Sequence, residues 1–144
     1  MRIKKPLLIV ALSALALAVV SSQAALSDPE CVEGWLSGPS DRNYWLDGFA
    51  SDYIGYTVVA YADPDWPLDI ELCVGLALPV GGGYYRVRWL DCEDRNGPGE
   101  PETVRVHIGS SDFPGLDWLL SARLAFMVHA VSGHGRYILC VWLE

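Results

Sequence analysis

Three histidines, four cysteines and a knot of carboxylates around a tryptophan are the groups in this 144-residue sequence whose chemistry could be put to use. His107, His129 and His134 are the acid–base candidates. Each also has an ordinary setting: His107 alternates with valines, His129 sits in an apolar run and His134 lies in the turn-like SGHG at 132–135. Nucleophilic catalysis would call for a local signature such as G-x-S-x-G, which the sequence lacks. Asp63, Asp65, Asp69 and Glu71 crowd around Trp66, and two such carboxylates could supply the acid and base of glycosidic hydrolysis. The DPDWP run that holds them has equally the composition of a strand-connecting turn with solvated side chains.

Metal chemistry finds little support. No two of Cys31, Cys73, Cys92 and Cys140 form a C-x2-C pair or stand beside a histidine, which argues against zinc. Neither DRNYWLDGFASD at 41–52 nor DCEDRNG at 91–97 places glycine sixth, as a calcium loop of the EF-hand type requires. No cofactor is implied.

The compartment explains the cysteines. Arg2, Lys4 and Lys5 precede an apolar run from Leu7 to Val20, followed by small residues at Ser22 and Ala24, the layout of a cleavable secretory signal over 1–24. The run falls short of the ~18–20 residues a helix needs to cross a bilayer, so no membrane anchor is expected after processing. Residues 25–144 then form one domain, secreted to a bacterial periplasm or the cell exterior. Four cysteines in such a space predict two disulfides. Loss of the three N-terminal cations leaves seven, all arginine, against 18 carboxylates, a formal charge of −11. That balance excludes nucleic acid, whose phosphates need basic groups, and suits a basic protein, a cation or a neutral ligand.

The elements that must position these groups are strands. TVVAYA, ELCVGLAL, YYRVRWLDC, TVRVHI, ARLAFMVHAV and RYILCVWL are short runs rich in β-branched and aromatic residues, set apart by Gly, Pro, Asn and Asp. They predict an all-β fold: a small antiparallel β-sandwich or barrel of about six to seven strands. Residues 26–55 show no clean period and read as an irregular N-terminal segment, and SSDFPGLDWLLSA at 110–122 as at most one short helix.

Alternation assigns faces. Around the PVGGG turn at 79–83, Leu72, Val74, Leu76 and Leu78 with Tyr85, Val87 and Trp89 are expected on the core face, and Cys73 with Cys92, Arg86 and Arg88 on the other. A tight turn there brings Cys73 opposite Cys92, leaving Cys31 for Cys140, a long loop whose closure contributes on the order of 4 kcal/mol in the chain-entropy model. Other pairings of four cysteines remain open. If the run at 103–108 pairs with the strand at 84–92, Arg105 and His107 extend Arg86 and Arg88 into a positive stripe. The last two runs are apolar at nearly every position and read as strands covered on both faces, with Trp35, Tyr44, Trp45, Phe49 and Tyr53 available as cover.

These features rank the functions. The leading expectation is a non-enzymatic exported binding protein whose partner is a protein, basic in character, in the manner of an inhibitor or immunity-type factor. Its candidate contacts are Trp35, Trp45, Trp66, Arg86, Arg88, Arg105 and His107. A carbohydrate-binding module using Trp35, Trp45 or Trp66 is the alternative, since flat rings stack on sugar faces. A small hydrolase built on the Asp63–Glu71 carboxylates comes third.

Overall fold

A computed structural model describes residues 28–144; the expected secretory segment at 1–24 lies outside them. The β-branched and aromatic runs become β3 (Thr57–Pro64), β4 (Asp69–Gly81), β5 (Tyr84–Glu93), β6 (Glu102–His107), β7 (Arg123–Ser132) and β8 (Gly135–Leu143). Two more strands, β1 (Glu30–Leu36) and β2 (Arg42–Phe49), occupy the segment expected to be irregular. The period of two was hidden there for a physical reason. Edge strand β1 buries only Val32 and Leu36, and β2 is buried on both faces with Asn43 and Asp47 among its inward groups. One short helix, α1 (Leu116–Ser121), lies between β6 and β7.

The described strands form two antiparallel four-stranded sheets, β1-β8-β3-β6 and β2-β7-β4-β5, stacked as a sandwich. Inward alternation builds the core: Tyr137, Leu139, Val141 and Leu143 from β8 meet Leu72, Val74 and Leu76 from β4 and Leu124, Phe126 and Val128 from β7. Cys31 is bonded to Cys140 and Cys73 to Cys92. Each bond links neighbouring strands of one sheet, fastening edge strand β1 to β8 and edge strand β5 to β4.

The face assignment around the β4–β5 hairpin needs correction. Cys73 opposes Cys92 and Val74 opposes Asp91, but Gly75 then opposes Trp89, so Leu90 is an extra residue. A bulge of this kind reverses the faces of the residues on its far side, here those that precede Leu90 in β5. Tyr85, Val87, Trp89 and Cys92 therefore pack on the outer face with Cys73 and Ala77, and Arg86 and Arg88 share the side of Leu78 and Leu76. Gly75 permits this arrangement, because a Cβ there would collide with the Arg88 carbonyl and the Trp89 ring.

One buried polar group joins the two sheets. The Tyr137 hydroxyl, on a fully buried side chain of β8, accepts hydrogen bonds from Asn43 Nδ2 and Trp45 Nε1 of β2, both at 2.8 Å. Asn43 Nδ2 also donates to the Trp35 carbonyl of β1 at 3.1 Å. Trp45, half-buried on β2, thus spends its indole N–H on the interior. Gly34 lies flat on the Tyr137 ring, where any Cβ would overlap it.

Burial pushes the Tyr137 phenol up to about 12 from 10.0, against the opposing pull of the Asn43 and Trp45 donors. A raised acid pKa means that the native state holds this proton more tightly than the unfolded chain. The associated stability is whole below pH 10 and is lost as pH climbs towards 12, by about 3 kcal/mol. Urea unfolding between pH 9 and 12 should show that fall in the parent protein and lack it in Tyr137→Phe. At pH 7, Tyr137→Phe should cost about 1–3 kcal/mol for the two donors left without an acceptor, and Gly34→Ala about as much through overpacking. Unchanged midpoints in both variants would contradict this account.

Candidate functional site

Because the strands run antiparallel, the β1–β2, β3–β4, β5–β6 and β7–β8 connections all emerge at one end of the sandwich. They are tied together there. Leu68, fully buried, anchors the β3–β4 connection, and its carbonyl accepts from the Gly99 amide of the β5–β6 loop at 2.8 Å. Gly133, at φ 73°, lets the β7–β8 turn lie against the Pro67 carbonyl, where a side chain would collide. Gly99 packs against the backbone and inner edge of Trp66. The Trp66 ring has nowhere to go but outward, and 76% of the residue is exposed.

Trp35 reaches the same end from β1, with 59% of its surface open. It stands opposite Arg136 of β8, whose carbonyl accepts from the Asp65 amide at 2.9 Å, so Trp35, Arg136 and Asp65 form one row and Trp66 follows directly. Arg136 is clamped from two sides: Nε lies 3.2 Å from Asp65 Oδ2 and Nη1 3.0 Å from Glu33 Oε1. Those carboxylates, Asp65 first, push the guanidinium pKa further up, so the cation is fixed in charge as well as position. Behind Trp66, Asp69 is raised above the usual carboxylate range by partial burial first, then by the charges of Asp94 and Glu100. Such mutual repulsion favours an incoming cation. The site is an aromatic pair around a clamped arginine, rimmed by carboxylates.

The other sequence candidates do not join it. Trp45 serves Tyr137. β6 pairs with β3 in the first sheet and not with β5, so the positive stripe is not formed. Arg105 Nε instead lies 3.2 Å from Glu144 Oε1, and His107 Nδ1 is 3.2 Å from Thr57 Oγ1, both on the outer face of the first sheet. Arg86 and Arg88 are exposed on β5 in the other sheet. The four carboxylates of the hydrolytic reading are scattered. Asp63 lies opposite Ile138 on the outside of one sheet, Asp65 binds Arg136, and Glu71 is on the outside of the other sheet, 3.4 Å from His129 Nδ1. Glu71, Cys73 and Cys92 bring three donor atoms within 4.8 Å of one another, but both sulfurs are spent in a disulfide and offer no thiolate.

Arg136 and Glu33 were not foreseen. RYILCVWL reads as a buried strand, and its first side chain gains meaning only when β1 and β3 flank it; an arginine opening an otherwise apolar run was the available signal.

No protein-family model matches the chain, and comparison with curated proteins finds no match. Among solved structures, the chain is similar to the Aeromonas hydrophila protein PliG, a periplasmic lysozyme inhibitor of g-type lysozyme. The match has 10% identity over 84% of this chain and 89% of that one, with a TM-score of 0.49. A structure described as "CBM4 structure and function" matches at 12% identity over 86% and 90% of the two chains, with a TM-score of 0.36.

The exposure contrast is measurable. In Trp35→Phe/Trp66→Phe the fluorescence component most accessible to acrylamide should disappear, with thermal stability within about 0.5 kcal/mol of the parent, as expected for exposed positions. Quenching that persists unchanged would show that these rings are covered.

Proposed function

We propose that this chain is a non-enzymatic exported binding protein that engages a basic protein, as an inhibitor or immunity-type factor would, through the Trp35–Arg136–Trp66 end of its sandwich. The observation that carries this reading is the pairing of two exposed tryptophans with an arginine held still by Glu33 and Asp65. Trp and Arg are the side chains that concentrate binding energy in protein interfaces, above all when their conformations are set before contact. The carboxylate rim and the formal charge of −11 on residues 25–144 add long-range attraction for a cationic surface. Two disulfides suit an oxidising, extracytoplasmic setting, where such encounters occur without a chaperoning cytoplasm.

Titration of the 25–144 form with cationic secreted proteins should give saturable protection of Trp35 and Trp66 from acrylamide. Affinity should weaken by about tenfold or more between 50 and 300 mM salt, as a steered and partly electrostatic encounter requires. Quenching that stays constant at saturating concentrations of every cationic protein, or protection by neutral glycans alone, would overturn the reading; the second result would establish the carbohydrate alternative.

A further inference from the structure

At the opposite end of the sandwich the β4–β5 hairpin outruns its sheet. β4 pairs with β7 only as far as Ala77, which opposes Arg123, whereas its pairing with β5 continues to Gly81 opposite Tyr84. Residues 78–86 therefore form a two-stranded ribbon that projects about 13 Å beyond the last residue with two neighbours. The ribbon is thin at its tip. Gly82 and Gly83, at φ 65° and 78°, make a two-residue turn with both φ positive, the geometry that fits the twist of a hairpin, and Gly81 precedes them at φ 91°. No side chain widens the tip; Val80 and Tyr84, about half exposed, form its shoulders.

The base is stiff. Cys73–Cys92 fastens it, and Trp89 lies over Gly75 with its ring stacked on Tyr44, centroids 6.3 Å apart. On the face opposite Tyr85 and Val87, alternation sets Tyr84, Arg86 and Arg88 in a line. Among the described residues neither of these two arginines has an ion pair, although Arg95 and Arg105 each have one and Arg136 has two. Arg86, opposite Leu78, stands at the root of the projecting ribbon and Arg88, opposite Leu76, one step below it, and neither guanidinium is neutralised by a carboxylate.

We infer that this hairpin is a finger that enters a carboxylate-lined cleft of a cationic protein. Residues two apart on one strand face are separated by about 7 Å, and the catalytic carboxylates of glycoside hydrolases stand about 5–10 Å apart on either side of a cleft. Arg86 and Arg88 match that spacing and offer planar, bidentate donors. The field of a −11 protein repels a partner that is anionic throughout, so the fitting occupant has a basic exterior and carboxylates recessed in its groove. A basic glycoside hydrolase has both. This inference rests on the proposal that the protein binds a basic protein, and adds a second contact: β4 alone spans about 40 Å, which places the finger far from Trp35 and Trp66.

The test uses the 25–144 form with a panel of purified basic glycoside hydrolases, turnover of a soluble oligosaccharide being the readout. Competitive inhibition of at least one enzyme is expected, weakened about 100-fold in R86A/R88A and less in R86K/R88K, with W35A/W66A lowering affinity through the first contact while leaving the inhibition competitive. Melting temperatures should be unchanged, because both arginines are exposed. If a hydrolase protects Trp35 and Trp66 from quenching while its turnover is untouched, or is inhibited equally by R86A/R88A, the finger is overturned and the proposed function stands. If no hydrolase is inhibited, the finger is overturned; the proposed function falls with it only when cationic proteins of other kinds also leave the tryptophans unprotected.

Discussion

The Tyr137 hydroxyl sets the terms for the rest of the molecule. A phenol buried between two sheets costs several kcal/mol unless its oxygen is hydrogen-bonded, and here the donors come from the other sheet, on Asn43 and Trp45. That requirement fixes the registry of β8 against β2. It also dictates Gly34 on β1, because the ring lies where a side chain would stand, and through Asn43 it holds the Trp35 carbonyl. The strand that carries Glu33 and Trp35 to the surface is therefore located by a contact in the interior. A single polar group in the core thus couples sheet packing to the geometry of the exposed arginine clamp.

The second constraint is size. A chain with 117 described residues buries a modest core, and the two sheets meet it in different ways. In β2-β7-β4-β5 the central strands carry Cys73, Gly75, Ala77 and Ala125 on their outer face, and the edge strands carry Tyr44, Val87 and Trp89. Tyr44 and Trp89 are three strand spacings apart, about 14 Å in a flat sheet, yet their rings stack. The large edge side chains lean inward and close over the small central ones to make a second apolar layer. In β1-β8-β3-β6 the outer face mixes Val59, Tyr61, Ile138 and Trp142 with Glu33, Arg105 and Arg136 and has no such closing layer. Each sheet has one edge strand fastened by a disulfide, β1 in one and β5 in the other, so both surface elements singled out for binding, the Trp35 row and the hairpin finger, grow from covalently anchored edges.

Much of this was legible in the residues. Six strands could be read from β-branched and aromatic runs, and the glycine-rich turn at 81–83 brought Cys73 and Cys92 opposite each other, leaving Cys31 and Cys140 as the remaining pair. The same counting went astray between the turn and the cysteines. It assumed an unbroken ladder, but the register shifts at Val80 in β4 and again at Leu90 in β5; the two slips cancel at Cys73 and Cys92 and leave Arg86 and Arg88, between them, turned to the other side. β1 and β2 were illegible because an edge strand and a strand buried on both faces lose the polar–apolar alternation by which strands are recognised. Trp45 read as a loop aromatic for the same reason.

What the sequence alone determined is local: where the chain extends and where it turns, the acidic balance, and the opposition of cysteines across one short hairpin. These follow from the side-chain period, from glycine and proline at the turns, and from a count of charges. Only the tertiary structure decided which strands sit side by side, that β6 goes to β3 and not to β5, that Arg136 falls between Glu33 and Asp65, and that Trp66 is open while Trp45 is half-buried and bonded to Tyr137. Those pairings join residues up to about a hundred positions apart. They are settled by which arrangement buries every apolar face and satisfies the Tyr137 hydroxyl at once, and no local run of residues encodes that collective choice.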